Sequence, residues 1–139
     1  MSDHRYTNRQ ASLQSSAMST QVTDLVPMAH VADVQRSIDF YALFGLEVKS
    51  KLVLSNGTLA WAWLAHELAE LMLTRAAGPL AIGQGVMFYL YAVNLVALRE
   101  HLLTKGIEVS AITYPPYMPQ GEMQTQDPDG YCLLIGQRG

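Results

Sequence analysis

Few residues in this chain could do chemistry, and the densest group is LAWAWLAHELAELML at 59–73, with two tryptophans and two glutamates around a histidine. If the chain turns near His66 and Glu67, Trp61 faces Met72 and Trp63 faces Glu70 across a hairpin, because directly opposed residues share a sheet face. Two indoles beside one carboxylate suit a flat or cationic ligand, through stacking and cation–π attraction worth about 0.5–2 kcal/mol each. The competing reading is that both indoles fill a core or a subunit seam. Among the four histidines, His4 lies in a polar N-terminal stretch, His66 at the expected turn and His101 on a solvated helix face. His30 differs, because strand alternation puts it on the face of Val26 and Met28. Cys132 is expected to be buried among apolar neighbours and inert, with no histidine placed to activate it. No serine triad, phosphate-binding glycine loop or dinucleotide fingerprint occurs, so no catalytic residue is assigned.

Regular elements must position these side chains, and the chain repeats itself. GLEV at 45–48 returns as GIEV at 106–109, an offset of 61 residues. Twelve residues before each glycine stands a helix-capping residue, Asp33 or Asn94. Each window therefore predicts a helix of about ten residues with a cap at one end and glycine just past the other. Val34, Ile38 and Leu43, then Leu95, Leu98 and Leu102, carry the apolar helical spacing. The strand-like runs VPMAHVA (26–32) and MFYLYAV (87–93) precede the caps, and in the second of them Met87, Tyr89 and Tyr91 alternate to one face. Asn56-Gly57 signals one hairpin, and GEMQTQ, DPDG and YCLLIG another at the end of the chain. In DPDG, Pro and Gly set a turn and the aspartates bond locally. Each half thus reads strand, helix, then three strands. One such unit cannot bury its own sheet face, so two should pair. The expected organisation is a flexible polar tail at 1–22, a first module at 23–74, a linker at 75–85 and a second module at 86–139. The loop ITYPPYMPQGEM (112–123), stiffened by three prolines, offers Tyr114 and Tyr117 at the rim of whatever it overhangs.

Bulk properties narrow the partners. Half the residues are hydrophobic and 15% are charged, against about 25% charged in an average domain, so a buried subunit interface is expected and with it a homodimer. A net charge of −3 lacks the basic footprint of a nucleic-acid binder. One cysteine excludes an intrachain disulfide and a multi-cysteine zinc site, which suits the cytoplasm. No signal-like run opens the chain, and no apolar stretch approaches the roughly 18 residues that cross a bilayer. A soluble protein with no membrane partner is expected.

The duplicated unit, with VQRSIDFYALFGLEV (34–48) and DPDGYCLLIG (127–136), resembles the vicinal oxygen chelate superfamily of glyoxalases, extradiol dioxygenases and bleomycin-resistance proteins over residues 24–137. The resemblance implies an α+β fold of two tandem βαβββ modules forming a curved mixed sheet around a cup, with the helices on the outer face. Enzymes of that family place up to four metal ligands in the cup, and the matching positions here are Val26, Met72, Met87 and Leu134. None supplies imidazole or carboxylate, so no metal and no cofactor is expected. The cup wall then falls to His30, Trp61, Trp63, Glu70, Met72, Met87, Tyr89 and Tyr91, with Tyr114 and Tyr117 at its rim. In character the chain is closest to the metal-free bleomycin-resistance members. The implied function is binding: an aromatic or cationic small molecule sequestered in an apolar cup by a homodimer. The alternative is an enzyme of the same superfamily, a lyase, isomerase or dioxygenase, with a displaced metal site or an acid/base pair such as His30 and Glu70.

Overall fold

Asp33 and Asn94 cap the two helices as their spacing requires, each side chain accepting the backbone N–H three residues on, from Arg36 and Ala97. Gly45 and Gly106 end them with φ of 90° and 78°, a left-handed turn that costs glycine little. The structure, a computed structural model, describes residues 20–80 and 86–139. Most of the expected 1–22 tail and the second half of the expected linker lie outside the described residues.

The first module runs β1 (Met28–Val31), α1 (Val34–Ala42), β2 (Glu47–Val53), β3 (Leu59–His66) and β4 (Ala69–Arg75). The second runs β5 (Met87–Ala92), α2 (Leu95–Thr104), β6 (Glu122–Gln126) and β7 (Cys132–Gln137). The mixed sheet is divided into a four-stranded part, ordered β1-β4-β3-β2, and a three-stranded part, ordered β5-β7-β6. β1 pairs parallel with β4 and β5 parallel with β7, while the remaining pairs are antiparallel. The expected α+β architecture of two related modules is present.

Two differences from the sequence reading have local causes. The strand expected after GIEV does not form a ladder. Its Ser110 hydroxyl accepts the Gln124 N–H at 2.8 Å, a side chain taking a backbone role, and only Thr113 bridges to Glu122 before the prolines begin. The β3–β4 register is also two residues off. The tight turn is Glu67-Leu68, with Glu67 at φ 51°, so Trp61 opposes Thr74 and Trp63 opposes Met72. A shift of two keeps every side chain on its expected face.

Alternation divides each sheet cleanly. Ala62, Leu64, Leu71 and Leu73 point to α1 and are buried, as are Leu133 and Ile135 of the second sheet. The first core does not stop at the module boundary. Leu133, Phe88, Leu90, Ile107 and Tyr131 of the second module join Val31, Val34, Phe40, Tyr41 and Leu64 of the first. Each fully buried leucine contributes about 1.5–3 kcal/mol by the usual area scale.

The DPDG turn locks this joint. Asp129 accepts the Ala32 backbone N–H at 3.0 Å, the Arg36 guanidinium at 3.2 Å and the Ser37 hydroxyl at 3.4 Å, all around the start of α1. Asp127 accepts the Tyr41 hydroxyl at 2.7 Å and, through its other oxygen, the N–H groups of Asp129 and Tyr131. Tyr131 in turn donates its hydroxyl to the His30 carbonyl at 2.9 Å. Burial, then the neighbouring Asp127 charge, pushes the Tyr41 phenol far above its ordinary range.

Replacing Tyr41 by Phe leaves the buried Asp127 carboxylate short of a donor and should cost about 1–3 kcal/mol, measured by urea unfolding. Asp127 also sets a pH dependence. Burial raises its pKa despite three hydrogen bonds that oppose the shift, so the folded state holds the proton to higher pH than the unfolded chain does. That contribution is complete below the ordinary carboxyl value of about 3.9 and is lost as pH rises through the folded value. Over that interval the wild type should lose stability relative to Asp127→Asn; parallel stability curves would contradict the assignment.

Candidate functional site

The faces turned away from the helices carry the side chains that could meet a ligand. On the first sheet, Met28 and His30 stand opposite Met72 and Thr74, and these oppose Trp63 and Trp61. On the second, Met87, Tyr89 and Tyr91 stand opposite Cys132, Leu134 and Gly136, and beyond these lie Gln126, Gln124 and Glu122. Period-two alternation puts each set on one face. Both faces are incompletely covered: Met28 is 53% exposed, Met87 55% and Tyr91 63%. His30 is exposed, and Trp61, Trp63 and Met72 are half-buried. Cys132, expected to be buried, is half-buried because it shares the open face with Met87.

A cation already occupies the tryptophan wall. At a register shift between Val48 and Ser50, β2 turns Lys49 onto this face, with its ammonium 4.2 Å from the centre of the Trp63 ring and 3.6 Å from Glu70. Bulges re-aim a side chain in this way. Glu70 therefore stands with a lysine in the place expected for a ligand cation. The Trp63 indole N–H is buried without an acceptor.

The second sheet holds a different carboxylate. Glu122, 7% exposed, accepts the Tyr89 hydroxyl on one oxygen at 2.6 Å and the Tyr117 hydroxyl on the other at 2.8 Å. The hydrogen bond to Glu122 is the main cause that raises both phenol pKa values above the ordinary range. Glycine makes the arrangement possible. A Cβ on Gly136 would lie 2.8 Å from the Met118 methyl and 3.1 Å from the Tyr89 hydroxyl. Tyr117 thus reaches inward by its hydroxyl, although the residue as a whole, like Tyr114, is 67% exposed.

A cleft of about 1220 Å³ opens between the β3–β4 tip and β5. It brings Glu70 together with Met87, Tyr89 and Tyr91, then continues past Tyr41 and Phe44 on the helix side. Trp61, Trp63, Met72 and His30 lie outside it. Nor does the structure bring His30 to Glu70. His30 pairs with Thr74, four residues along β4, a separation of about 13 Å at strand rise.

Lys49 and Glu122 were not legible as site residues. Alternation in EMQTQ does separate Glu122 from Met123, but its phenol donors come from 33 residues before and 5 before in the chain. The positions matching family metal ligands carry Val26, Met72, Met87 and Leu134, whose thioethers and alkyl groups do not fit a hard or borderline cation. Among the described residues, no three His, Cys, Asp or Glu side chains are grouped to hold a metal.

Residues 26–135 match the sequence model of the glyoxalase/bleomycin resistance protein/dioxygenase superfamily. No curated protein sequence matches the chain. Among solved structures, a bleomycin-binding protein complexed with bleomycin superposes with a TM-score of 0.66 at 16% identity, covering 85% of this chain and 100% of that one. TnmS3, an antibiotic-binding protein from Streptomyces sp. CB03234, gives 0.66 at 18% identity over 87% and 100%. A lactoylglutathione lyase from Agrobacterium tumefaciens gives 0.63 at 21% identity over 85% and 96%. At these identities the likeness is one of fold.

Replacing Gly136 by Ala should cost about 1–3 kcal/mol by overpacking, and adding Met118→Ala should restore most of the loss. Thermal unfolding of the single and double variants checks this, and a double variant no more stable than the single one would show that Met118 is not the obstruction.

Proposed function

The chain belongs to the glyoxalase/bleomycin resistance protein/dioxygenase superfamily, and from that premise we propose that it is a small-molecule binding protein, sequestering a planar aromatic or cationic compound without metal. One observation carries the reading: apolar and aromatic side chains stand where a metal-dependent relative would keep its ligands. Met72 lies beside Trp63, and Leu134 beside Tyr89. Such a wall binds by stacking and apolar burial, with few polar groups to orient the ligand.

Solved relatives of the fold that bind bleomycin or an antibiotic give the proposal a precedent. Exposed Met28, Leu52, Met87 and Tyr91 support a homodimer, in which a second copy covers part of these faces and narrows the opening. The single cysteine supports a reducing compartment such as the cytoplasm. No helix among the described residues is long and apolar enough to cross a membrane.

The chain has only two tryptophans, both on the proposed wall. A screen of planar aromatic compounds, bleomycin-type glycopeptides included, should find at least one that quenches emission saturably and raises the melting temperature, by mass action on the native state. Zinc, nickel, manganese and iron should produce neither effect. If no compound acts and Trp63→Ala costs about 3–5 kcal/mol, as truncating a core aromatic does, the tryptophans are structural and the proposal fails.

A further inference from the structure

The open face of the second sheet is covered at one end only. Met87, Cys132 and Gln126 form one row across it, and Tyr89, Leu134 and Gln124 the next; in both, the central residue is half-buried and its flanks are exposed. In the third row, Tyr91, Gly136 and Glu122, only the tyrosine is open and the other two are buried. A glycine has no side chain to lay over itself, so its cover comes from elsewhere. That cover is Met118: a Cβ on Gly136 would meet the Met118 methyl at 2.8 Å and its sulfur at 3.2 Å.

The backbone on either side fixes where Met118 stands. Its N–H donates to the Pro115 carbonyl at 2.9 Å, and its carbonyl accepts the Gly121 N–H at 3.1 Å. Tyr117, next to it, is tied by its hydroxyl to Glu122, and Thr113 exchanges both backbone hydrogen bonds with Glu122 at 2.8 Å. Pro115, Pro116 and Pro119 stiffen the span between. Met118 also lines the cleft beside Tyr89 and Tyr91. One side of the thioether therefore rests on the glycine, and the other meets the space a ligand would enter.

Residues on one face of a strand follow each other at about 6.7 Å along it. The floor left open from Cys132 to Leu134 is one such step, the reach of two fused aromatic rings. A third ring in line with them needs the next step, over Gly136, and meets the Met118 thioether there. We infer that Met118 sets the length limit of the ligand: it ends the binding face of the second sheet, so that two fused rings are accommodated along β7 and a third is excluded. The inference rests on the binding function proposed above and adds the size of the planar group that the second sheet accepts.

Quinoline and acridine differ by one fused ring, and both are neutral at mildly alkaline pH. In isothermal titration calorimetry, Met118→Ala should bind acridine at least about fivefold more tightly than the wild type does, on the scale of burying the added ring, and quinoline within about twofold of wild type. Adding Gly136→Ala puts a methyl back into the vacated space, so the double variant should return acridine to within about twofold of wild type. Equal changes for the two compounds in Met118→Ala, no change for either, or a gain for acridine that survives Gly136→Ala overturns the inference and leaves the binding function standing. Should Met118→Ala fail to fold, the wild type decides. In protein carrying labelled methionine methyl groups, quinoline should shift the Met118 methyl signal saturably, with Met118→Leu, a volume-conserving change, supplying the assignment. A Met118 signal that stays in place while quinoline binds overturns the inference. If neither compound binds, the inference falls, and the wider screen of planar compounds judges the binding function alone.

Discussion

The rest of the structure depends on the grip of the DPDG turn on the first helix. Asp129 sits at the start of α1 with a side chain 3% exposed, satisfying one backbone N–H, one guanidinium and one hydroxyl from the other module. Its charge also lies favourably near a helix N-terminus. Asp127 takes the Tyr41 phenol from one turn further along the same helix. These bonds join residues 86–97 positions apart in sequence, and they direct Leu133 into the core of the first module. With one aspartate at each of two successive helical turns, the second sheet cannot rotate against α1 without breaking both. The acidic turn that opens β7 therefore does more than aim a strand. It sets where the second sheet stands relative to the first.

With the helix sides joined, the opposite faces must be left open, and their chemistry follows from which side chains alternate onto them. Tryptophan, tyrosine and methionine there supply large apolar and aromatic area, which suits a surface meeting a flat apolar molecule. Each face also carries one carboxylate with its own solution to burial. The first sheet supplies a lysine, aimed by a bulge; the second supplies two phenols, made possible by a glycine. The first solution neutralises the charge, and the second only hydrates it with hydroxyls. The difference makes the two halves of the repeat chemically unequal, although their backbones follow one plan.

Much of that plan was legible from local signals. The Asp33–Gly45 and Asn94–Gly106 windows marked both helices because capping and the left-handed terminus are properties of a few adjacent residues. Asn56-Gly57 marked its hairpin for the same reason, with Gly57 at φ 88°. Face assignment on β3, β4 and β5 followed from alternation and survived a register shift of two. The register itself was not legible, since nothing in HELA says whether the tight turn centres on His66-Glu67 or on Glu67-Leu68. Lys49 was hidden by the bulge, because alternation has no rule for where an extra residue enters. Glu122 was hidden by distance, its environment being assembled from β5 and the proline loop. In place of the ladder after GIEV, two hydroxyls take backbone roles, Ser110 accepting the Gln124 N–H and Thr125 donating to the Glu108 carbonyl.

The central claim is that the helix-free faces of both sheets form one binding surface, and amide NMR of the labelled protein tests it residue by residue. Titration with a compound that binds should move the indole N–H signals of Trp61 and Trp63 together with backbone amides around Tyr89, Glu122 and Leu134, in one saturable process, while amides of α1 and α2 stay in place. Shifts confined to one sheet, or centred on the helices and the Tyr41–Phe44 side of the cleft, would contradict the account.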